Sequence, residues 1–205
     1  MLALRQDDPE ALDAVSSILR RGGVAAVPTE TVYGLVALWR SQQARERIYC
    51  LKRRPQSKLL QMLAPSIECA ERAGLLHDER LHRIGRVFWP GALTVVARAD
   101  GKGVNGASIG LRIPAHGFIM ALLEKLGEPL AASSANLSGC PAGLDAKDAV
   151  KGLDGEPDIL IDGGNVEDCV GQSSTVVSIL SESPVILREG PVSLDSILSA
   201  LDKKP

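Results

Sequence analysis

The chain has 205 residues, 45% of them hydrophobic and 3% aromatic, and a formal net charge of −2. This length suits one α/β domain spanning 1–205, with a core of Val, Leu, Ile and Ala rather than rings. The charge excludes a chain-wide polyanion binder, so any phosphate or RNA contact must come from a local basic cluster. Cys50, Cys69, Cys140 and Cys169 are widely spaced and form no C-x-x-C pair. That spacing fits neither a zinc site nor a disulfide scaffold and points to reduced thiols in a cytoplasm. The N-terminus has no basic-then-apolar leader, and no apolar run approaches the ~20 residues of a membrane helix.

Asp8-Pro9-Glu10 predicts a helix start, with Ala11, Val15, Ile18 and Leu19 on one face and Gly22-Gly23 as the stop. Val24–Val27 reads as a short buried strand. Thr29–Leu38 reads as a turn running into a short helix. A helix over Ser41–Leu51 runs into the basic stretch 52–58, and a strand at Leu59–Ala64 follows. Ser66 and Asp78 cap two further helices, the second ending at Pro90-Gly91. Strands at Leu93–Arg98 and Ser108–Ile113 flank a Gly-rich loop. A helix near Gly117–Lys125 leads to a strand at Pro129–Ala132 and a small-residue loop over Ser133–Gly143. Ala146–Val150 is helical and Ile159–Asp162 a strand. Ser174–Leu180 and Pro184–Arg188 read as paired strands, and Ser193–Leu201 as the last helix. The alternation predicts an α/β fold: a twisted mixed β-sheet with flanking helices.

Four segments carry candidate chemistry. Lys52-Arg53-Arg54-Pro55-Gln56-Ser57-Lys58 sets four cations in seven residues, with Pro55 breaking the helix so that the side chains converge on a loop. Such a loop suits a triphosphate, or is a solvated basic surface. Thr29-Glu30-Thr31-Val32-Tyr33 offers hydroxyls, a carboxylate and a phenol just after a buried strand, or a helix cap with Tyr33 packed beneath it. Ala131 to Gly139, with Ala132, Ser134 and Asn136, lets a ligand approach backbone closely, or is an ordinary strand-to-loop turn. Ser173-Ser174-Thr175 and Arg188-Glu189-Gly190-Pro191 are brought together if their strands pair. There is no G-x-x-x-x-G-K-[ST], no G-x-G-x-x-G after a strand and no G-x-S-x-G. His77, His82 and His116 form no recognisable metal set, so no metal ligands are assigned.

The ordered set P-T-E-T-V-Y-G-L (28–35), K-R-R-P-Q-S-K (52–58), W-P-G-A-L-T (89–94), G-L-R-I-P (110–114), S-A-N-L-S-G (134–139), S-T-V-V (174–177) and L-R-E-G-P (187–191) resembles the YrdC-like family of threonylcarbamoyl-AMP synthases. The resemblance implies a twisted sheet around a positively charged cavity. It implies the conversion of ATP, L-threonine and bicarbonate to threonylcarbamoyl-AMP and pyrophosphate, for modification of tRNA position 37. It places Thr31, Tyr33, Arg112, Ala132 and Ser174 around threonine. It places Arg54, Lys58, Ser108, Ser134, Asn136, Ala142 and Arg188 around ATP, and gives Lys52, Arg54 and Lys58 the catalytic task of screening the triphosphate. Mg2+ is expected on the phosphates. Tiers of partners follow from it: the three small substrates, tRNA or double-stranded RNA, and a downstream threonylcarbamoyl transferase complex, with no membrane.

Departures from the family pattern occur at Val36–Trp39, at Leu59 and at Leu63, where some members carry a histidine. The length resembles the short bacterial form, without the C-terminal domain of the long forms. Rival readings are an RNA-binding protein of the same fold, the related domain of hydrogenase-maturation carbamoyltransferases, and a silent paralogue.

Overall fold

A computed structural model describes residues 1–101, 106–143, 145–164 and 172–202. Ten strands form one mixed sheet in the order β1-β8-β2-β3-β7-β4-β6-β5-β9-β10. They are β1 (Leu2–Arg5), β2 (Ala25–Val27), β3 (Gly34–Leu38), β4 (Gln61–Leu63), β5 (Leu93–Arg98), β6 (Ser108–Arg112), β7 (Leu130–Ser134), β8 (Ile159–Asp162), β9 (Thr175–Ser178) and β10 (Val185–Arg188). The helices are α1 (Ala11–Arg20), α2 (Gln42–Lys52), α3 (Ile67–Arg72), α4 (Glu79–Phe88), α5 (Gly117–Leu126), α6 (Ala146–Lys151) and α7 (Leu194–Asp202).

The strand period of two sorts the side chains onto two faces. One face turns Ala26, Leu35, Ala37, Met62, Val95, Leu111 and Val177 into a core with residues of α2, α3, α4, α6 and α7. The other turns Ala25, Val27, Val36, Leu38, Leu130 and Ile159 against α1 and α5, which pack on each other. These two helices cover the β8-β2-β3 side of the sheet. On the same face, the strands from β7 to β9 carry Ala132, Gln61, Gly110, Thr94 and Val176 instead, and there a cavity opens.

Local signals place the helix ends. Ser41, Ser66 and Asp78 accept from backbone N–H groups of the first turns of α2, α3 and α4. Gly22 closes α1 at φ 82°, a left-handed conformation that costs glycine no Cβ clash. Asp8 accepts from Glu10 N at 2.9 Å, so Pro9-Glu10 forms a turn and α1 begins only at Ala11.

One expectation is corrected and one element is added. Gly34–Leu38 is a strand, not a helix: all five residues are buried and pair with β7, and Gly34–Val36 pair with β2 on the other side. The N-terminal residues Leu2–Arg5 form β1, paired in parallel with β8. Cys169 lies outside the described residues; Cys50, Cys69 and Cys140 are free thiols.

Candidate active site

The cavity holds roughly 1020 Å³ of empty space including its open mouth. Its floor is the uncovered sheet face, read off at every second residue: Gln61 and Leu63, Thr94 and Val96, Ser108, Gly110 and Arg112, Ala132 and Ser134. A Cβ on Gly110 would meet Thr94 Cγ2 at 3.3 Å and Val96 Cγ2 at 3.7 Å, so glycine keeps the floor open there. The walls come from Thr29 and Thr31–Gly34, from Arg54, Leu59 and Leu60, and from Ser173, Ser174 and Arg188.

Arg188 reaches the cavity through a β-bulge. Ile186 pairs with Val177 but Arg188 pairs with Val176, so two residues of β10 oppose one of β9. In regular alternation Arg188 would share the core face of Ile186. The extra residue transfers it to the face of Val176, which lines the cavity. Gly190 lets the following segment lie against Ser174 and Thr175: a Cβ there would stand 2.3 Å from Thr175 N. Thr175 Oγ1 then donates to Val192 O and accepts from Val192 N, both at 2.9 Å.

Two hydrogen-bond relays run across the site, and each has a definite direction. Arg188 Nη2 donates to Ser174 Oγ at 3.0 Å and to Ser174 O at 2.8 Å. Thr94 donates its single proton to Gln61 Oε1 at 3.0 Å, so the 2.9 Å contact between Ser174 and Thr94 has Ser174 as donor. On the other side, Arg112 Nη1 donates to Thr31 Oγ1 at 3.0 Å. Thr29 gives its proton to Val32 O at 2.7 Å, so Thr31 donates across the 2.9 Å contact to Thr29. Both relays present hydroxyls whose orientation is fixed before any ligand arrives.

The cations differ in their surroundings. Arg112 is 3% exposed and lies 2.6 Å from Glu30 Oε1, which also accepts from Ala115 N; its Nε donates to Gly91 O. Arg54 and Arg188 have no carboxylate within ion-pairing distance among the described residues. Arg54 donates only to the carbonyls of Lys58 and Leu59. Burial, then the charges of Arg112 and Arg54, pull the Arg188 guanidinium below its ordinary value, though an arginine stays protonated at neutral pH. Arg54 is lowered by burial as well. Arg54 is half-buried and Arg188 lies exposed at the cavity's edge, and two cations without counter-charge there make an anion site.

The basic stretch does not converge as a loop. Arg53, at φ 47°, ends α2 in the left-handed conformation and turns outward to Asp154, at 2.8 Å. Lys58 is exposed and outside the cavity lining. Lys52 is 1% exposed and also stands behind the lining, where its Nζ donates to Ser134 O, to Asn136 O at 2.7 Å and to Asn136 Oδ1 at 3.4 Å. Burial, then Arg54, pushes Lys52 down to about 7. It fastens the β7 loop, and Asn136 extends that clamp by donating to the carbonyls of Leu137 and Cys140. Asn136 and the half-buried Ala142 are likewise outside the lining.

Thr31, Tyr33, Arg54, Ser108, Arg112, Ala132, Ser134, Ser174 and Arg188 are therefore brought to one cavity. Tyr33 is fully buried, and its hydroxyl donates to Gly164 O at 2.9 Å and accepts from Gly163 N at 3.0 Å, so it braces the loop after β8. Sequence reasoning missed Gln61 and Thr94. Their signal was available: both are polar residues at core-strand positions beside apolar neighbours.

A mixed sheet with one half-covered face, two uncompensated guanidiniums and pre-oriented hydroxyls defines an α/β protein with an anion-binding cleft. Residues 17–190 match the Sua5/YciO/YrdC family model, described as telomere recombination, and the chain belongs to that family. It is 33% identical to a threonylcarbamoyl-AMP synthase of Bacillus subtilis, covering 98% of this chain and 63% of that protein. It is 34% identical to a putative threonylcarbamoyl-AMP synthase of Mycobacterium tuberculosis, covering 95% and 92%. The structure superposes on Pyrococcus abyssi Sua5 complexed with L-threonine with a TM-score of 0.88 and 31% identity, over 98% of this chain and 60% of that one. The chain thus spans less than two thirds of the Bacillus and Pyrococcus proteins. No helix among the described residues is long and apolar enough to cross a membrane.

Proposed function

We propose that the chain is an L-threonylcarbamoyl-AMP synthase, a nucleotidyltransferase working in the cytoplasm. The observation that carries this is the pairing, in one cavity, of the uncompensated cations Arg54 and Arg188 with the pre-oriented hydroxyls of Thr31 and Ser174. The relatives named for this activity, and the L-threonine held by the Pyrococcus structure, support the reading.

In this reading the threonine amine and bicarbonate give a carbamate and water. A carbamate oxygen then bonds to the α-phosphorus of ATP, and the bond to pyrophosphate breaks. Two anions must approach, so cation screening and orientation are the main needs, with no covalent nucleophile. Arg54 and Arg188 would meet the triphosphate, beside Ser108 and Ser134. Thr31, Ser174 and the Ala132 backbone would hold threonine. Arg112 would position Thr31, and its guanidinium, already paired with Glu30, would be shared with the threonine carboxylate. Lys52 and Asn136 act from behind, by fixing the Ser134 segment; Lys58 and Ala142 would act at the mouth.

Among the described residues the cavity lining has no Asp or Glu to serve Mg2+ as a carboxylate ligand. Magnesium would enter as MgATP, held by the phosphates. The product would pass to a threonylcarbamoyl transferase complex acting on tRNA.

The test is pyrophosphate release from MgATP, with L-threonine and bicarbonate omitted in turn. Release that needs both is expected. A folded protein that releases none, yet binds tRNA with a steep salt dependence, would transfer the cleft to RNA binding.

A further inference from the structure

Outside the cleft, the turn between α3 and α4 gathers a second set of groups. Glu71 is in the last turn of α3, His77 lies in the connection to α4 and His82 is in α4. One ligand-capable atom of each lies within 4.8 Å of the other two. Glu71 Oε1 stands 3.0 Å from His77 Nδ1 and 3.3 Å from His82 Nε2. The two rings are tilted by 43°, with centroids 4.8 Å apart, so both turn a nitrogen toward the same oxygen instead of stacking.

These spacings have a meaning for coordination. Four ligands placed tetrahedrally at about 2.0–2.1 Å from an ion lie about 3.3 Å from one another. The carboxylate-to-imidazole distances already match such an edge. A ligating imidazole also needs its other nitrogen fixed by an acceptor. Here His77 Nε2 lies 3.2 Å from Glu79 Oε1. Two imidazoles and one carboxylate suit zinc, nickel or copper rather than magnesium or calcium.

The geometry points to a site for a divalent transition-metal ion of the zinc class, with Glu71, His77 and His82 as ligands, water in the fourth position and Glu79 behind His77. The ion would tie α3 to α4. None of these residues lines the cleft, so the site stands independently of the proposed activity. The sequence leaves His77 and His82 without a third partner because Glu71 reaches them only across the turn.

The experiment uses the full chain without a histidine tag. Zinc is titrated by calorimetry and cobalt(II) by visible absorption. One ion per chain is expected, with tetrahedral cobalt bands and no thiolate charge-transfer band. Zinc at a hundredfold excess over Kd should raise Tm by about 5 °C or more. Glu71→Gln and His82→Ala should abolish stoichiometric binding, and Glu79→Gln should weaken it about 10-fold. All these side chains are at the surface or half-buried, and folding is checked by circular dichroism; His82→Gln serves if His82→Ala unfolds. Absence of stoichiometric binding overturns the site. So does binding that survives His77→Ala/His82→Ala, or a cobalt–thiolate band that assigns the ion to cysteines.

Discussion

Arg112 and Arg188 enter the same cleft from β6 and β10, and each heads a relay of two hydroxyls. Their charges are managed in opposite ways. Arg112 is answered by Glu30 at 2.6 Å, by Thr31 and by Gly91 O. Among the described residues Arg188 is answered only by the oxygens of Ser174, with Arg54 and Arg112 as like-charged neighbours. A neutralised buried cation holds structure. Arg188, exposed on β10 and without a carboxylate partner among the described residues, holds little of the fold and is available to an anion, and so belongs to binding.

The largest effect that would test this contrast is on stability. Arg112→Met leaves the half-buried Glu30 without a counter-charge, for an expected loss of about 3 kcal/mol, the low end of the range for breaking a buried pair. Adding Glu30→Gln should restore most of it, and urea unfolding measures both. A full loss in the double variant would mean that the pair is not what holds the fold.

Lys52 provides a pH-dependent version of the same contrast. Its folded-state value is near 7, below the ordinary 10.5, so between these values the unfolded chain binds more protons. Stability should therefore rise with pH across that window, and the gain is lost as pH falls through about 7. Between pH 7.5 and 9.5 the wild type should gain on the order of 2 kcal/mol relative to Lys52→Met. Equal slopes in the two proteins would show that Lys52 is not desolvated.

The smallest stability effect is expected at Arg188. Arg188→Met should move stability by no more than about 1 kcal/mol. It should nevertheless raise the KM for ATP by about 10–100-fold, the worth of a hydrogen bond from a charged group. Large destabilisation with unchanged KM would reverse the roles given to the two arginines.

Most elements were legible because their signals are local. Ser41, Ser66 and Asp78 are caps that work as such, and the Leu93–Arg98 strand has its expected limits. Gly34–Leu38 was not legible, because a short unbroken apolar run fits helix and strand alike until its neighbours are known. Nor was β1, whose only partner is more than 150 residues away. For the site, the motifs marked the right segments but not the direction of side chains within them. Lys52 and Arg54 are two apart in one basic run, yet one clamps a loop and the other faces the cavity. Burial and a left-handed Arg53 between them decide that, and neither is a property of composition.

The bulge in β10 sets the phase of everything beyond it. Strand pairing counts residues in twos, and the additional residue at Leu187 moves the count by one. Removing that residue would leave the R-E-G-P of the last motif intact on paper, including Arg188 and Gly190. It would also restore even counting, turn the guanidinium toward the α4–α7 side and leave Ser174 without its donor. The arginine's contribution to the cleft is therefore encoded as much by the parity of the strand as by the amino acid itself.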